Sequence, residues 1–361
     1  MTAASIYPAS YSAVEVAEGL PTVPAVAWVR GGTRQVQVTF RNPSATPHTV
    51  GVVTDAGSYT DFTTSSIISV AASPTSLNFA AYGEATVTYT LTGLPNYVAK
   101  GTLQVPIEFT NPISGYPTGF SHTVYLTYST PSSLQSTVWT NVLDDACTWA
   151  FTKTTAENCR EETTRSLYRS GVFLYNPNGL FYTVAALDSE SLDYEVRYRL
   201  KGLFADRAIA SLLSGDCRDV SNYLLTMWQA LGVSGSIKLV ADNSDTLAFE
   251  THPLCGIGNT WTDPTNYIKY SFNFHQVTMS GTDVYDVAAA QLTNLTGGAY
   301  NDTPIAWPLS GYWQTVNPSP PPGGSGFLGL TLRYIPGGPV PQGQTVGITT
   351  GAATIIGYDN S

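Results

Sequence analysis

The sequence predicts an all-β sandwich followed by an α+β domain. Apolar residues alternate with period two over the first 130 or so positions, and a Ser/Thr/Pro linker follows at 129–137. Beyond the linker the apolar period becomes helical. A chain of 361 residues suggests two domains, or one domain with extensions, and is long enough to bury a sizeable core. We therefore place boundaries at residues 1–132, 133–300 and 301–361.

Four N-terminal segments have the alternation of half-buried strands and are separated by turn-forming clusters. These segments are QVQVTF (35–40), TVTYTL (86–91), LQVPIEF (103–109) and TVYLTY (123–128). Several short antiparallel strands over about 110 residues are typical of an immunoglobulin-like sandwich. Pro106 has no N–H to donate, so we expect its strand to lie at a sheet edge or to carry a bulge.

The second region begins with helical patterns. Residues 155–171 have acidic residues early, basic residues late and a terminal glycine, which is the polarity of a capped helix. Residues 195–215 predict one or two short helices. The clearest helix is 216–231, where an apolar stripe precedes the stop at Gly232. The stripe consists of Val220, Tyr223, Leu224, Met227, Trp228 and Leu231.

Strands follow the helices, in SIKLV (236–240), YSFNFHQVTM (270–279) and DVYDVAA (283–289). Helices first and strands afterwards predict an α+β domain. From about residue 292 the chain is rich in Gly and Pro. Residues 328–335 and 345–359 predict further strands, which we expect to pack on one of the two domains.

Composition and charge limit the possible partners. The net charge of −10, with no run of Lys or Arg, argues against nucleic acid and anionic membranes. No stretch approaches the roughly 20 apolar residues that span a bilayer. The low charged content of 12%, with many Tyr, Ser, Thr and Gly, is typical of secreted β-rich proteins. We expect an extracellular or cell-surface protein whose signal peptide has been removed. Its oligomeric state cannot be read from the sequence.

Cys217 is the most informative of the four cysteines. An inert core thiol, a disulfide partner, a metal ligand and a nucleophile are the four alternatives. Cys217 precedes the apolar stripe and lies in the first turn of its helix, where unpaired N–H groups and the helix dipole stabilise a thiolate. The cysteine spacings give no close Cys pair for zinc, and no calcium loop occurs, so we expect no metal and no cofactor. Cys147 and Cys159 are the candidates for a disulfide.

A thiol nucleophile needs a base, and the base needs an orienting group. His252 and His275 are the two histidines of the second region. Residues 275–286 predict a hairpin centred between Ser280 and Gly281, and that register places His275 opposite Asp286. Opposed side chains have Cβ atoms roughly 5 Å apart. We therefore favour His275 with Asp286.

The segment GDCRDVSNYLLTMWQALGV (215–233) resembles the transglutaminase-like branch of the papain-like fold. Gly215, Cys217, Asp219 and the QALGV helix end match the family's cysteine motif. His275-Gln-Val and Asp286 match its histidine and aspartate segments. The hairpin is shorter than is common in the family, and VYD (284–286) replaces its usual Trp-containing phrase.

The resemblance implies that Cys217 attacks a carboxamide or peptide carbonyl of a protein or peptide substrate. It also implies that His275 carries the proton and that Asp286 orients the imidazole. The acyl group then passes to an amine or to water. The N–H of Cys217 is one natural oxyanion donor. The second donor stays open, with Trp149 and Trp228 as candidates by residue type alone.

Two other functions fit the same sequence. The first is a non-catalytic surface or adhesion protein that uses the transglutaminase-like domain as a scaffold. The second is an intramolecular isopeptide or thioester cross-link, which shares part of the chemistry. The distance of the Cys217 sulfur from the His275 ring and its access to solvent separate the scaffold from the enzyme.

Overall fold

The computed structural model describes residues 26–42, 45–110, 119–131, 137–178, 182–187, 194–241, 249–251, 253–260, 262–272, 274–291, 306–308, 327–334, 345–347 and 357–358. These residues form two compact units. The first unit holds the elements up to Thr154 and the last two strands, and the second holds the elements from Thr155 to Tyr334. The division between the units after residue 137 therefore lies at 154/155, beyond the boundary that the sequence predicts. Most of the Gly- and Pro-rich segment that begins at about residue 292 lies outside the described residues.

The first unit is rich in β-strands. Its strands along the chain are β1 (Val26–Val29), β2 (Arg34–Arg41), β3 (His48–Val53), β4 (Gly57–Thr60), β5 (Ser65–Ser73), β6 (Ser76–Phe79), β7 (Glu84–Thr92), β8 (Ala99–Pro106), β9 (Glu108–Thr110), β10 (Gly119–Thr127) and β11 (Thr137–Trp139). Seven of them form one sheet in the order β1-β10-β8-β4-β5-β7-β2, and β6-β3-β9 form a second. Side chains from both sheets join one apolar core, so this part of the chain is a sandwich.

The predicted alternation sets the inward faces of this sandwich. Val36, Val38 and Phe40 of β2 are buried, and so are Val87, Tyr89 and Leu91 of β7. Each set faces the core because successive side chains of a strand point to opposite sides of the sheet. The period-two pattern is therefore confirmed in β2 and β7.

Pro106 ends a strand in the interior of the sheet, which differs from the edge or bulge that the sequence predicts. β8 pairs with β10 on one side and with β4 on the other. The chain then leaves this sheet, because β9 pairs with β3 of the second sheet. A residue without an N–H stops the ladder here, and the segment LQVPIEF is divided between two sheets.

Helix α1 (Thr140–Trp149) belongs to the first unit and packs against β8 and β10. Its Cys147 is buried, with Sγ 4.0 Å from the carbonyl oxygen of Leu126. Cys159 lies in the second unit, in helix α2 (Ala156–Arg169), and is also a buried thiol. The predicted Cys147–Cys159 disulfide is therefore wrong. The short spacing in sequence does not bring the two residues together, because each is packed into a different core.

The second unit contains α2, α3 (Leu200–Ile209) and α4 (Cys217–Ala230). Its strands are β12 (Phe173–Tyr175), β13 (Thr183–Leu187), β14 (Tyr194–Tyr198), β15 (Leu213–Gly215), β16 (Ser236–Ala241), β17 (Phe249–Glu250), β18 (Leu254–Gly256), β19 (Tyr267–Ile268), β20 (Ser271–Phe272), β21 (Phe274–Ser280), β22 (Asp283–Tyr285), β23 (Ala289–Gln291), β24 (Ala306–Pro308) and β25 (Phe327–Tyr334). The main sheet has the order β13-β14-β25-β16-β21-β22-β24. Strands β12 to β15 lie between the helices, where the sequence predicts none.

Helix α4 is buried around most of its circumference. The predicted stripe is buried, and Ser221 and Asn222 on another face are buried as well. Those polar residues contact the sheet: Ser221 Oγ donates to the carbonyl oxygen of Gln276 at 2.9 Å, and Asn222 Nδ2 donates to Thr183 Oγ1 at 3.0 Å. The apolar stripe thus predicts the helix, while the polar face of α4 attaches the helix to β21 and β13.

The C-terminal strands are divided between the units rather than packed on one of them. β25 lies inside the main sheet of the second unit, parallel to β14 and antiparallel to β16. β26 (Thr345–Gly347) pairs with β11 of the first unit and with β27 (Gly357–Tyr358). An alternating pattern fits any open strand position, so the sequence does not indicate which sheet accepts it.

Candidate active site

The site is built around the first turn of α4, which begins directly after β15. Asp216 caps the helix, because its Oδ1 accepts the N–H groups of Arg218 at 2.8 Å and of Asp219 at 3.1 Å. Asp219 returns the interaction by accepting the N–H of Asp216 at 3.2 Å, which completes a capping box. The N–H of Cys217, at the first helical position, is not one of the donors that this box satisfies.

Asp219 holds the helix end against the neighbouring strand. Its Oδ1 also accepts the N–H groups of Tyr182 at 3.0 Å and of Thr183 at 2.8 Å. Burial, and then the charge of Asp216, raise the pKa of Asp219, while these hydrogen bonds act in the opposite direction. The acidic residue two positions after Cys217 therefore has a structural role: it fixes α4 on β13.

His275 lies on β21, and an aromatic side chain covers one face of its ring. Phe272 stacks on the imidazole with ring centroids 4.9 Å apart and planes 15° apart. The histidine is 0% exposed. On the opposite side of the strand, Gln276 Nε2 donates to Asn222 Oδ1 at 2.9 Å. Because β21 is buried on both sides, the ring has a single well-defined environment.

The hairpin that joins His275 to Asp286 has a register different from the predicted one. Met279 pairs with Val284 and Ser280 with Asp283, so the two-residue turn is Gly281-Thr282. Gly281 has φ +59°, which suits the first central position of a type II′ turn. The shift from the predicted register is two residues. Since side chains alternate with period two, such a shift keeps them on their faces, whereas a shift of one residue exchanges the faces.

His275 and Asp286 form a hydrogen bond of 2.8 Å between Nε2 and Oδ2. Asp286 follows the end of β22 and is diagonal to His275 rather than directly opposite. Its other oxygen, Oδ1, accepts the N–H of Ala288 at 3.0 Å. With 6% exposure, this carboxylate is held by the backbone on one side and by the imidazole on the other.

The carboxylate controls the charge of the imidazole. Burial by itself lowers the pKa of His275, but the charge and hydrogen bond of Asp286, followed by the interaction with Cys217, raise this pKa to about 10. The protonated ring is therefore the stable form at neutral pH.

Cys217 is brought to the same ring. His275 interacts with the Cys217 side chain, and its buried Nδ1 forms no hydrogen bond of regular geometry with the described residues. Cys217 is only 5% exposed. The residue lies outside the apolar stripe and is nevertheless buried. The structure thus brings Cys217, His275 and Asp286 together within the second unit.

Three aromatic residues complete the surroundings, and the sequence analysis did not select them. Tyr270 stacks on Phe272 with centroids 5.5 Å apart, and Tyr175 meets both rings edge to face. Tyr175 belongs to β12, a strand of three residues that is too short to produce a recognisable alternation. Only the fold places it beside α4.

Trp228 and Trp149 are the residues that the sequence suggests for the second oxyanion donor. Trp228 packs in the core: its Nε1 donates to Thr163 Oγ1 at 3.0 Å, and its ring meets Tyr285 edge to face. Trp149 lies in α1 of the first unit. His252 falls outside the described residues.

Within the described segments, no three His, Cys, Asp or Glu side chains are arranged to hold a metal ion. No described helix combines the length and apolar character needed to cross a bilayer.

Comparisons with known proteins find solved structures that are similar at low sequence identity. No family model and no curated protein sequence matches the chain. Among solved structures, a red sea bream transglutaminase is similar at a TM-score of 0.41 and 10% identity, over 92% of this chain and 58% of that one. A secreted serine protease, VesC from Vibrio cholerae, matches at a TM-score of 0.19 and 12% identity, over 28% of this chain and 21% of that one.

A further match involves SSP-19, an MSP-domain-like protein of Caenorhabditis elegans. It has a TM-score of 0.16 and 11% identity, over 28% of this chain and 94% of that one. Similarities at this level do not define a function, so the proposal below relies on the side-chain geometry of the second unit.

Proposed function

We propose that the second unit is a transglutaminase-like, papain-like catalytic domain that performs thiol-dependent acyl transfer. Cys217 is the nucleophile, His275 the proton carrier and Asp286 the orienting carboxylate. The single observation that carries this proposal is the buried His275–Asp286 hydrogen bond of 2.8 Å on the ring that also interacts with Cys217. A structural thiol needs neither a buried imidazolium nor a carboxylate behind it.

The chemistry follows from the charges. The Cys217 thiolate forms a bond to the carbonyl carbon of a carboxamide or amide, and the carbonyl π electrons move to oxygen. The N–H of Cys217 is available to this oxyanion. The C–N bond then breaks as His275 gives its proton to the leaving amine, which leaves a thioester. An amine or water then bonds to the thioester carbon and gives its proton to the neutral His275. The C–S bond breaks with its electron pair on sulfur, which restores the Cys217 thiolate.

The substrates that fit are protein or peptide carboxamide and amide groups, with either cross-linking or hydrolysis as the outcome. The first unit, as an immunoglobulin-like module, would position the enzyme at an extracellular or cell-surface location. The sequence favours that location through its low charge and its composition.

The test compares the wild type with Cys217→Ala and His275→Ala in three assays: incorporation of a fluorescent alkylamine into a glutamine-rich protein, hydrolysis of a peptide library and release of ammonia. We expect each variant to lose the activity that the wild type has. Cys255→Ala is the matched control, since Cys255 is a buried thiol of the same unit and burial raises its pKa. Retained activity in Cys217→Ala or His275→Ala removes the assignment.

The non-catalytic scaffold is supported by one observation, the 5% exposure of Cys217. A sealed thiol could not reach a protein substrate. The two functions differ in the alkylation of the native protein by iodoacetamide near neutral pH, with peptide mapping of the product. An enzyme is labelled at Cys217 before Cys147, Cys159 or Cys255, whereas a scaffold is labelled at none of them.

A further inference from the structure

Tyr175 has a buried hydroxyl without a hydrogen-bond partner in the described part of the chain, and it lies on a strand that pairs with the residues just before Cys217. Tyr175 is the last residue of β12, which runs parallel to β15, and it pairs with Gly215. The next residue, Asn176, donates its N–H to the carbonyl oxygen of Gly215 at 2.9 Å. Because Gly215 is two positions before Cys217, this pairing fixes Tyr175 next to the first turn of α4.

The Tyr175 ring is held in one position. Its own N–H donates to the carbonyl oxygen of Ile257 at 2.9 Å. Gly256 approaches so closely that a Cβ there would lie 2.8 Å from the Cβ of Tyr175. The ring meets Tyr270 edge to face at 5.4 Å and Phe272 at 6.5 Å. The packing of the ring therefore determines where the hydroxyl, the one polar atom of the side chain, lies.

That hydroxyl is buried and feels the charged groups of the site. Tyr175 is 8% exposed, and its Oη is buried without a hydrogen-bond partner. The charged groups that act on it are Cys217 first, then Asp286 and Asp216; together with burial, which is the largest cause, they raise the pKa of Tyr175 well above 10. The phenol therefore keeps its proton and can act only as a neutral donor or acceptor.

Buried tyrosine hydroxyls usually have a hydrogen-bond partner, because an unsatisfied polar group is costly in the interior. A donor kept unsatisfied beside a nucleophile suits an acceptor that exists only during the reaction. We propose that the Tyr175 hydroxyl is the second oxyanion donor, acting together with the N–H of Cys217. This inference rests on the acyl-transfer function proposed above.

The step balances without any change in the protonation of Tyr175. As Cys217 Sγ bonds to the carbonyl carbon, the negative charge that forms on oxygen accepts hydrogen bonds from Tyr175 Oη and the Cys217 N–H. When the leaving group departs with a proton from His275, the carbonyl double bond forms again and both hydrogen bonds weaken. Tyr175 touches the reacting oxygen and is in this sense a catalytic residue.

The alternative role is a hydrogen bond from Tyr175 to the Cys217 sulfur, which would tune the thiolate. The two roles differ in reactions that form no oxyanion. Alkylation by iodoacetamide displaces iodide from carbon and creates no tetrahedral intermediate, whereas acylation by p-nitrophenyl acetate does. A comparison of the two rates on the same thiol therefore separates the roles.

The experiment uses the full chain with Tyr175→Phe, and with Tyr198→Phe as the control. Tyr198 is also a buried tyrosine of the second unit with an unpartnered hydroxyl, but Asp219 and Tyr223 are the first groups that act on it. We expect Tyr175→Phe to lower the single-turnover acylation rate by about 100- to 1000-fold. The alkylation rate should stay within about twofold, and Tyr198→Phe should change neither rate.

The remaining outcomes overturn the inference in distinguishable ways. Equal losses in acylation and alkylation assign Tyr175 to the sulfur, and an unchanged acylation rate removes it from the reaction. If the wild type is not acylated, or Cys217→Ala is acylated equally fast, the proposed function itself fails and the oxyanion role with it. Near-UV circular dichroism of each variant verifies the fold. If Tyr175→Phe does not fold, protein with 3-fluorotyrosine incorporated takes its place. Its ratio of acylation rate to alkylation rate is compared with that of the wild type, and an equal ratio overturns the role.

Discussion

The imidazole of His275 and the carboxylate of Asp286 lie 2.8 Å apart across a hairpin in which they are diagonal rather than face to face. A diagonal pair has a longer Cβ separation, roughly 7 to 8 Å, which the long reach of an imidazole can bridge. The backbone donor at Ala288 fixes the carboxylate in that position.

Replacing Asp286 with Asn tests this pair. The amide keeps the size but removes the charge that holds the proton on His275, and it allows the wrong ring orientation. We expect the acylation rate with p-nitrophenyl acetate to fall by up to about 10⁴-fold. Asp283→Asn is the control, because Asp283 begins the same strand, β22, and is not part of the His275–Asp286 pair. It should keep the wild-type rate. Full activity in Asp286→Asn would separate this carboxylate from the reaction.

The charged state of His275 predicts a pH dependence of stability. The folded pKa of about 10 lies above the ordinary value of 6.5, so the folded protein keeps a proton that the unfolded chain releases between these values. The stabilisation is complete below pH 6.5 and is lost as the pH rises toward 10. The difference in free energy of unfolding between the wild type and His275→Gln, from urea titrations, should shrink over this range. A pH-independent difference contradicts the assignment.

Asp219 is expected to stabilise the fold rather than take part in the reaction. Asp219→Ala leaves three buried N–H groups without their acceptor, those of Tyr182, Thr183 and Asp216. We expect the free energy of unfolding to fall by about 3 kcal/mol in urea titrations. Asp263→Ala, which removes an exposed carboxylate that accepts hydrogen bonds from Thr265 of its own turn, should leave it nearly unchanged. A small effect at Asp219 would contradict the anchoring role.

The observed hairpin register predicts the cost of a turn substitution. Gly281 has φ +59° and open space around the position of a Cβ, so Gly281→Ala adds backbone strain and no clash. The free energy of unfolding should fall by about 1 kcal/mol. Thr282→Ala, at the second turn position, should change it by less than about 0.5 kcal/mol. Equal effects at the two positions would contradict the positive φ of Gly281.

Two tyrosines should respond in opposite directions to the loss of a hydroxyl. The hydroxyl of Tyr168 donates to the carbonyl oxygen of Cys255 at 3.0 Å, so Tyr168→Phe should cost about 1 kcal/mol of unfolding free energy. Tyr175→Phe removes a buried hydroxyl that has no partner in the described part of the chain, and stability should stay constant or rise by about 1 kcal/mol. A clear loss at Tyr175 would indicate a partner in the folded resting state.

Features that depend on local pattern can be predicted from the sequence alone. Period-two alternation gave the long strands of the first unit, and the stripe from Val220 to Leu231 gave helix α4 with Cys217 in its first turn. Alternation also predicts that His275 and Asp286 lie on one face. The prediction holds although the hairpin register differs by two residues, because a shift of two residues preserves the faces.

The tertiary structure decided what depends on contacts between distant segments. It placed Cys147 and Cys159 in separate cores, inserted β25 between β14 and β16, and brought the three-residue strand of Tyr175 beside α4. None of these has a local signal, since short strands carry too few residues for a period and an open sheet position accepts any compatible strand. The surroundings of Cys217 are therefore a property of packing, while its position at the start of a helix is a property of the sequence.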